Sequence, residues 1–142
     1  MTDRKPTGKE LILGCSGALI CILISLSLWL GLRPFQETWP FPGVYFVELM
    51  FSAIICALAF WRFPEYSTLV SWVFSGLVVG FILISLFSVG IYYLPVFLIF
   101  LILSIYSDRR HNIRFFHQAI YGLLAGILQA SGMLVILVIF IR

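Results

Sequence analysis

Long apolar runs separated by short polar stretches dominate the pattern of this chain. The longest run, from Tyr66 to Ser107, contains 42 residues without a charged side chain or a histidine. One membrane span needs about 20 apolar residues to cross a hydrocarbon core of roughly 30 Å, so this run is long enough for two. Gly90 and Pro95 lie near its middle, and both residue types are typical of a turn. The pattern therefore predicts two spans joined by a short turn.

The whole chain repeats this pattern and predicts five helical spans. The apolar segments are residues 11–32, 43–61, 68–89, 91–107 and 115–141. We expect one transmembrane domain over residues 1–142, an all-α integral membrane protein that forms a five-span transmembrane helical bundle. The first segment is longer than the roughly 7–15 apolar residues of a cleavable signal peptide, so we expect it to remain as an anchor.

The fourth segment leaves one alternative open. Pro95 suits the first turn of a helix, where its missing N–H would have no partner. A helix from Leu94 to Ser107 would be only about 21 Å long, which is short for a crossing. The alternative is four spans plus a re-entrant half-helix at residues 91–107.

The basic residues favour five spans and predict an orientation. Cytoplasmic loops carry an excess of lysine and arginine. With five spans and a cytoplasmic N-terminus, seven of the nine basic side chains fall on the inner side: Arg4, Lys5, Lys9, Arg62, Arg109, Arg110 and Arg114. With a half-helix the division would be five against four. We therefore expect a multi-pass protein of the plasma (inner) membrane, with the C-terminus outside.

Composition agrees with lipid as the main solvent. Hydrophobic residues make up 62% of the chain and charged residues 11%, whereas soluble domains average about 25% charged residues. The net charge of +3 arises from basic side chains at the ends of spans, so we expect no nucleic-acid partner. We expect Arg109, Arg110 and Arg114 to contact anionic lipid head groups at the inner face or an acidic partner.

Small residues recur at four-residue steps, which places them on one face of a helix. These residues are Gly76 and Gly80 in the third segment, and Gly122, Gly126 and Ala130 in the fifth. Such faces let transmembrane helices approach closely. They predict helix packing, either within the chain or with another membrane subunit or a second copy.

Two polar side chains inside apolar segments are candidate functional residues. Glu48 is the acidic residue of the second segment, and Gln129 lies deep in the fifth. Ionisable groups inside the membrane are functional candidates, and an amide there hydrogen-bonds across to a neighbouring helix. A structural role near the interface remains the alternative for Glu48.

The chain lacks the sequence motifs that hold a nucleophile, a nucleotide or a metal. The three cysteines show no metal-type spacing. We therefore expect no enzyme activity, no catalytic residues, no cofactor and no metal. The favoured function is a small non-catalytic accessory or scaffold subunit of a larger membrane complex. The alternatives are a small oligomeric transporter or channel that uses Glu48 and Gln129, and a binder of a hydrophobic ligand.

Overall fold

The computed structural model describes residues 8–31, 43–86, 89–111 and 115–141, and over these ranges the chain forms five long helices. They are α1 (Gly8–Gly31), α2 (Gly43–Arg62), α3 (Ser67–Ile84), α4 (Leu94–His111) and α5 (Phe115–Ile141). Short 3-10 turns precede α3 (Pro64–Tyr66) and α4 (Gly90–Tyr93). Each long helix, taken with the turn before it, is long and apolar enough to cross a membrane. The predicted all-α five-helix bundle is confirmed.

Helix α4 is longer than the sequence predicted. It does not end at Ser107 but continues through Asp108 and Arg110 to His111, because basic residues in a last turn are favoured by the negative end of the helix dipole. Its 18 residues extend about 27 Å, and the preceding 3-10 turn lengthens the apolar stretch. The shortness that suggested a half-helix at residues 91–107 is therefore absent.

Helix α3 lies at the centre of the described bundle. It contacts α2, α4 and α5, whereas α1 packs against α2 and α4 on the far side. Helix α5 packs almost entirely on α3. The bundle therefore depends on two different faces of one helix.

Aromatic side chains fill the space between α1–α4. The Phe100 ring lies 4.6 Å from the Phe74 ring and 6.5 Å from the Phe60 ring, centroid to centroid. Further along α3, the Phe81 ring contacts Tyr93 at 5.0 Å and Tyr45 at 6.3 Å. All six rings are at most 2% exposed. Tilted and edge-to-face pairs of this kind are favourable beyond their buried area.

Glycines bring the backbones of α3 and α5 into direct contact. A Cβ atom added at Gly80 would lie 2.5 Å from the carbonyl oxygen of Gly126. One added at Gly76 would collide with the carbonyl of Gly122, and one added at Gly126 would lie 2.9 Å from the Gly76 carbonyl oxygen. Ala130, one turn further along α5, is half-buried. The close approach of these two helices therefore requires residues without side chains.

We predict that Gly76→Ala destabilises the protein, because its methyl group would meet the rigid backbone of α5. Overpacking of this kind costs about 1–3 kcal/mol. Gly132→Ala is the matched control, since it lies on α5 with nothing within 4 Å of its added Cβ. The measurement is the thermal unfolding midpoint of each variant in the same detergent or nanodisc. Equal midpoints for the two variants would contradict the described contact.

Candidate functional site

Polar side chains gather at one end of the bundle, where α1 and α3 begin and α2 and α4 end. All lysine and arginine residues within the described ranges also lie there, so we call it the basic end: Lys9, Arg62, Arg109 and Arg110. The polar cluster at this end consists of Glu10, Thr68, Trp72, Ser107, Asp108 and Arg110. Its two carboxylates are almost fully buried, with 2% of Glu10 and 3% of Asp108 exposed. The cluster joins α1, α3 and α4.

An ion pair ties α1 to α4. The Nη1 atom of Arg110 lies 3.4 Å from Oε2 of Glu10, and 38% of the arginine side chain but only 1% of the glutamate side chain is exposed. Glu10 lies in the first turn of α1, and Arg110 lies in the last turn of α4. Each charge therefore sits at the helix end whose dipole favours it.

Asp108 accepts a hydrogen bond from a side chain of α3. The indole N–H of Trp72 donates a hydrogen bond of 2.8 Å to Oδ2 of Asp108. The other oxygen, Oδ1, is buried and receives no hydrogen bond within the described structure. Asp108 follows the apolar part of α4 and lies inside the protein rather than in water.

Hydroxyl groups complete the contact between α3 and α4. The hydroxyls of Thr68 and Ser107 lie 2.5 Å apart. Ser71 donates to the carbonyl of Ser67 at 2.8 Å, and Ser104 donates to the carbonyl of Phe100 at 2.7 Å. These bonds satisfy polar groups in a region where each unsatisfied group is costly.

A second, smaller set of polar contacts lies in the opposite half of the bundle. The hydroxyls of Ser25 and Tyr93 are 2.8 Å apart, which joins α1 to the turn before α4. The Tyr45 hydroxyl donates to the carbonyl of Met133 at 3.0 Å, which joins α2 to α5. The aromatic rings of the core lie between these contacts and the polar cluster.

The two polar residues singled out from the sequence do not form a common site. Glu48 is half-buried on α2. Gln129 is 8% exposed on α5, where its Cβ would lie 3.1 Å from a Cβ added at Gly80. No hydrogen bond joins these two side chains, both of which the structure describes.

The sequence pattern missed Glu10 and Asp108. In the sequence, Glu10 precedes the first apolar segment and Asp108 follows the fourth. In the structure, α1 begins before Glu10 and α4 ends after Asp108, so both residues lie within helices. The signal that could have found them is the preference for Glu in a first turn and for basic residues in a last turn. That preference extends both helices across the charged residues.

The predicted lipid-contact arginines differ in their environment. Arg109 is exposed on the last turn of α4, whereas Arg110 is engaged by Glu10. Arg114 lies outside the described residues. Nearby, the Arg62 guanidinium lies 5.8 Å from the centre of the Phe63 ring, a cation–π distance.

No group of three or more histidine, cysteine or acidic side chains that could hold a metal ion is present in the described ranges. Comparison of the chain with known proteins gives no matching family model, no matching curated protein and no matching solved structure.

We predict that Arg110→Gln destabilises the bundle more than Arg109→Gln, because only the former leaves the buried Glu10 carboxylate without its guanidinium. Removing one partner of a hydrogen-bonded charge pair costs about 1–3 kcal/mol when the pair is only partly buried. The double variant Glu10→Gln with Arg110→Gln should recover part of that loss. A double-mutant cycle on unfolding midpoints measures the coupling. Additive effects in the cycle would contradict the ion pair.

Proposed function

We propose that this protein is a non-catalytic membrane-embedded protein that acts by assembling with other membrane-embedded chains, as an accessory or scaffold subunit. The observation that carries the proposal is the separation of its polar groups. They lie in two sets toward opposite ends of the bundle, with a layer of buried aromatic rings between them.

This separation is a poor basis for a transport pathway inside one chain. Moving an ion or polar solute requires polar groups or water along its route. Here Phe74 and Phe100 contact each other at 4.6 Å in the middle of the bundle. Glu48 and Gln129 are not joined across it. A chain built in this way is better suited to holding helices in place than to conducting.

Helix α5 offers the surface for assembly. It packs on α3 through a narrow glycine face, and large apolar side chains cover its other sides. Phe116 is 81% exposed and Leu128 is 74% exposed. Gly132 lies about one turn after Leu128 on α5, with open space around it. Small residues beside large apolar ones favour close packing of a further transmembrane helix.

A second candidate function is a small oligomeric transporter, and one observation favours it. Two of the six acidic residues, Glu10 and Asp108, are buried at the basic end. Buried ionisable groups in membrane proteins often mark ion or proton routes. Such a route would run between copies of the chain rather than through the aromatic core.

We also propose that the basic end faces the cytoplasm, which places the N-terminus inside and the C-terminus outside a plasma (inner) membrane. All lysine and arginine residues in the described ranges lie at that end. The positive-inside rule favours this direction of insertion. Labelling of single cysteines from either side of the membrane tests it.

The assembly proposal predicts stoichiometric protein partners. We expect the tagged chain, extracted from its native membrane in mild detergent, to elute from a sizing column with other membrane proteins in a fixed ratio, identified by mass spectrometry. Gly132→Leu should reduce their recovery because it fills the open surface of α5. Gly31→Leu, an exposed glycine of α1 with equally open surroundings, is the matched control.

A homo-oligomer without other subunits would overturn the accessory-subunit proposal and favour the transporter. Full recovery of partners with Gly132→Leu would place their contact on a surface other than this part of α5.

A further inference from the structure

Asp108 differs from the other carboxylate of the polar cluster in its partners. Glu10 pairs with the Arg110 guanidinium, whereas the hydrogen bond described for Asp108 comes from the neutral indole of Trp72. Asp108 is 97% buried, since only 3% of it is exposed. Its Oδ1 atom lies out of contact with solvent and accepts no hydrogen bond from the described residues.

The nearest arginines along α4 do not neutralise Asp108. Arg110 is directed to Glu10, and residues two apart on a helix do not face each other. Arg109 is exposed. Among the side chains that the structure describes, an ionised carboxylate at Asp108 would therefore be a buried charge without a cation in contact. The effective penalty for such a charge is several kcal/mol, and buried groups avoid it by becoming neutral.

The position of Asp108 on its helix adds to this penalty. It lies in the last turn of α4, which ends at His111. The free carbonyl groups of a last turn carry partial negative charge, so a carboxylate there is disfavoured. Protonation removes the repulsion and turns Oδ1 into a donor.

The hydrogen bonds described for the hydroxyl groups of α3 and α4 at this end go to partners other than Asp108. Ser71 and Ser104 each donate to a carbonyl of their own helix. Thr68 and Ser107 bond to each other across the α3–α4 contact. None of these bonds reaches Oδ1, so no described hydroxyl group compensates a negative charge on that atom.

We propose that Asp108 is a proton-binding site: its carboxyl group holds a proton on Oδ1 at neutral pH, while Oδ2 accepts the hydrogen bond from Trp72. The site lies at the basic end, close to the membrane surface, so its proton exchanges with the water on that side. Loss of the proton leaves a charge in the contact between α3 and α4. Proton binding is thereby coupled to the packing of these two helices.

Few other ionisable groups on the described elements around Asp108 can account for a pH response. Helix α3 carries none. Helix α1 contributes Lys9 and the paired Glu10 at this end, and the turn before α3 contributes the exposed Glu65 and Tyr66. Helix α5 contributes the exposed His117 near its start, and α4 itself carries Arg109, Arg110, His111 and, one turn earlier, Tyr106. The isosteric change Asp108→Asn keeps an oxygen for Trp72 but has no proton to release.

The amino-acid sequence makes a direct test possible, because the chain has only two aspartates, Asp3 and Asp108. In an Asp3→Asn background, aspartate labelled with 13C at its carboxyl carbon reports Asp108 alone. We expect nuclear magnetic resonance of the folded protein in nanodiscs to show the protonated carboxyl signal at neutral pH. The same chain unfolded in denaturant should show the ionised signal, with a midpoint near the ordinary value of about 3.9.

Two results of the resonance measurement would overturn the proposal. One is an ionised signal for the folded protein at neutral pH. The other is an ionised signal that moves when sodium replaces choline in the buffer, which would make Asp108 a cation ligand.

The Asp108→Asn variant gives a second readout if it folds. Since the folded state holds the proton more tightly than the unfolded chain, wild-type stability should fall as pH rises above about 4. The stability of the Asp108→Asn variant should lack the part of this fall that Asp108 causes. Identical pH profiles of stability for the wild type and the variant would contradict the proposal.

Discussion

The helices of this protein must hold together without help from water exclusion, because lipid tails are as apolar as the helix surfaces themselves. What remains is close packing and a small number of hydrogen bonds, and α3 supplies both. Its glycine face lets α5 approach to backbone contact. Its opposite side presents Thr68 and Trp72 to α4. Helix α3 therefore provides most of the contacts of α5 and the hydrogen bonds that Asp108 and Ser107 of the polar cluster make.

The same constraint explains where the polar groups lie. A chain with 11% charged residues can bury a carboxylate only where another group compensates for the loss of water. Helix ends offer that compensation through their dipoles and through side chains of adjacent helices. Glu10 benefits from both, since it begins α1 and meets Arg110. The middle of the bundle offers no such compensation and is filled by aromatic rings.

The five helices follow from local sequence, whereas the contacts between them do not. Long apolar runs determine the five helices because each must satisfy its own backbone in lipid. The glycine spacing of Gly76 with Gly80 and of Gly122 with Gly126 predicted two packing faces, but that these faces meet each other depends on contacts distant in sequence. The sequence indicates Glu48 as a candidate functional residue because of its depth along a helix. Depth along a helix does not determine the direction in which a side chain faces, and the Glu48 side chain is half-buried on α2.

The sequence does not predict the polar cluster, because hydropathy places the end of a span at its first charged residue. Asp108 closes an apolar run in the sequence, yet α4 continues past it and Trp72 reaches it from a helix 36 residues earlier. Trp72 lies near the start of one span and Asp108 at the end of the next. Only folding brings these two side chains together. The two buried carboxylates that the structure describes lie at span ends, where hydropathy changes sign.

The measurement that tests the account most directly is the sidedness of the turns between helices. Single cysteines would replace Glu65, which is exposed between α2 and α3, and Tyr92, which is 57% exposed just before α4. The background would lack the native Cys15, Cys21 and Cys56. With the basic end in the cytoplasm, as proposed, a membrane-impermeant thiol reagent should label Tyr92→Cys in intact cells and Glu65→Cys only after the membrane is opened. Labelling of both positions from the same side would contradict a bundle whose helices cross the membrane in alternating directions.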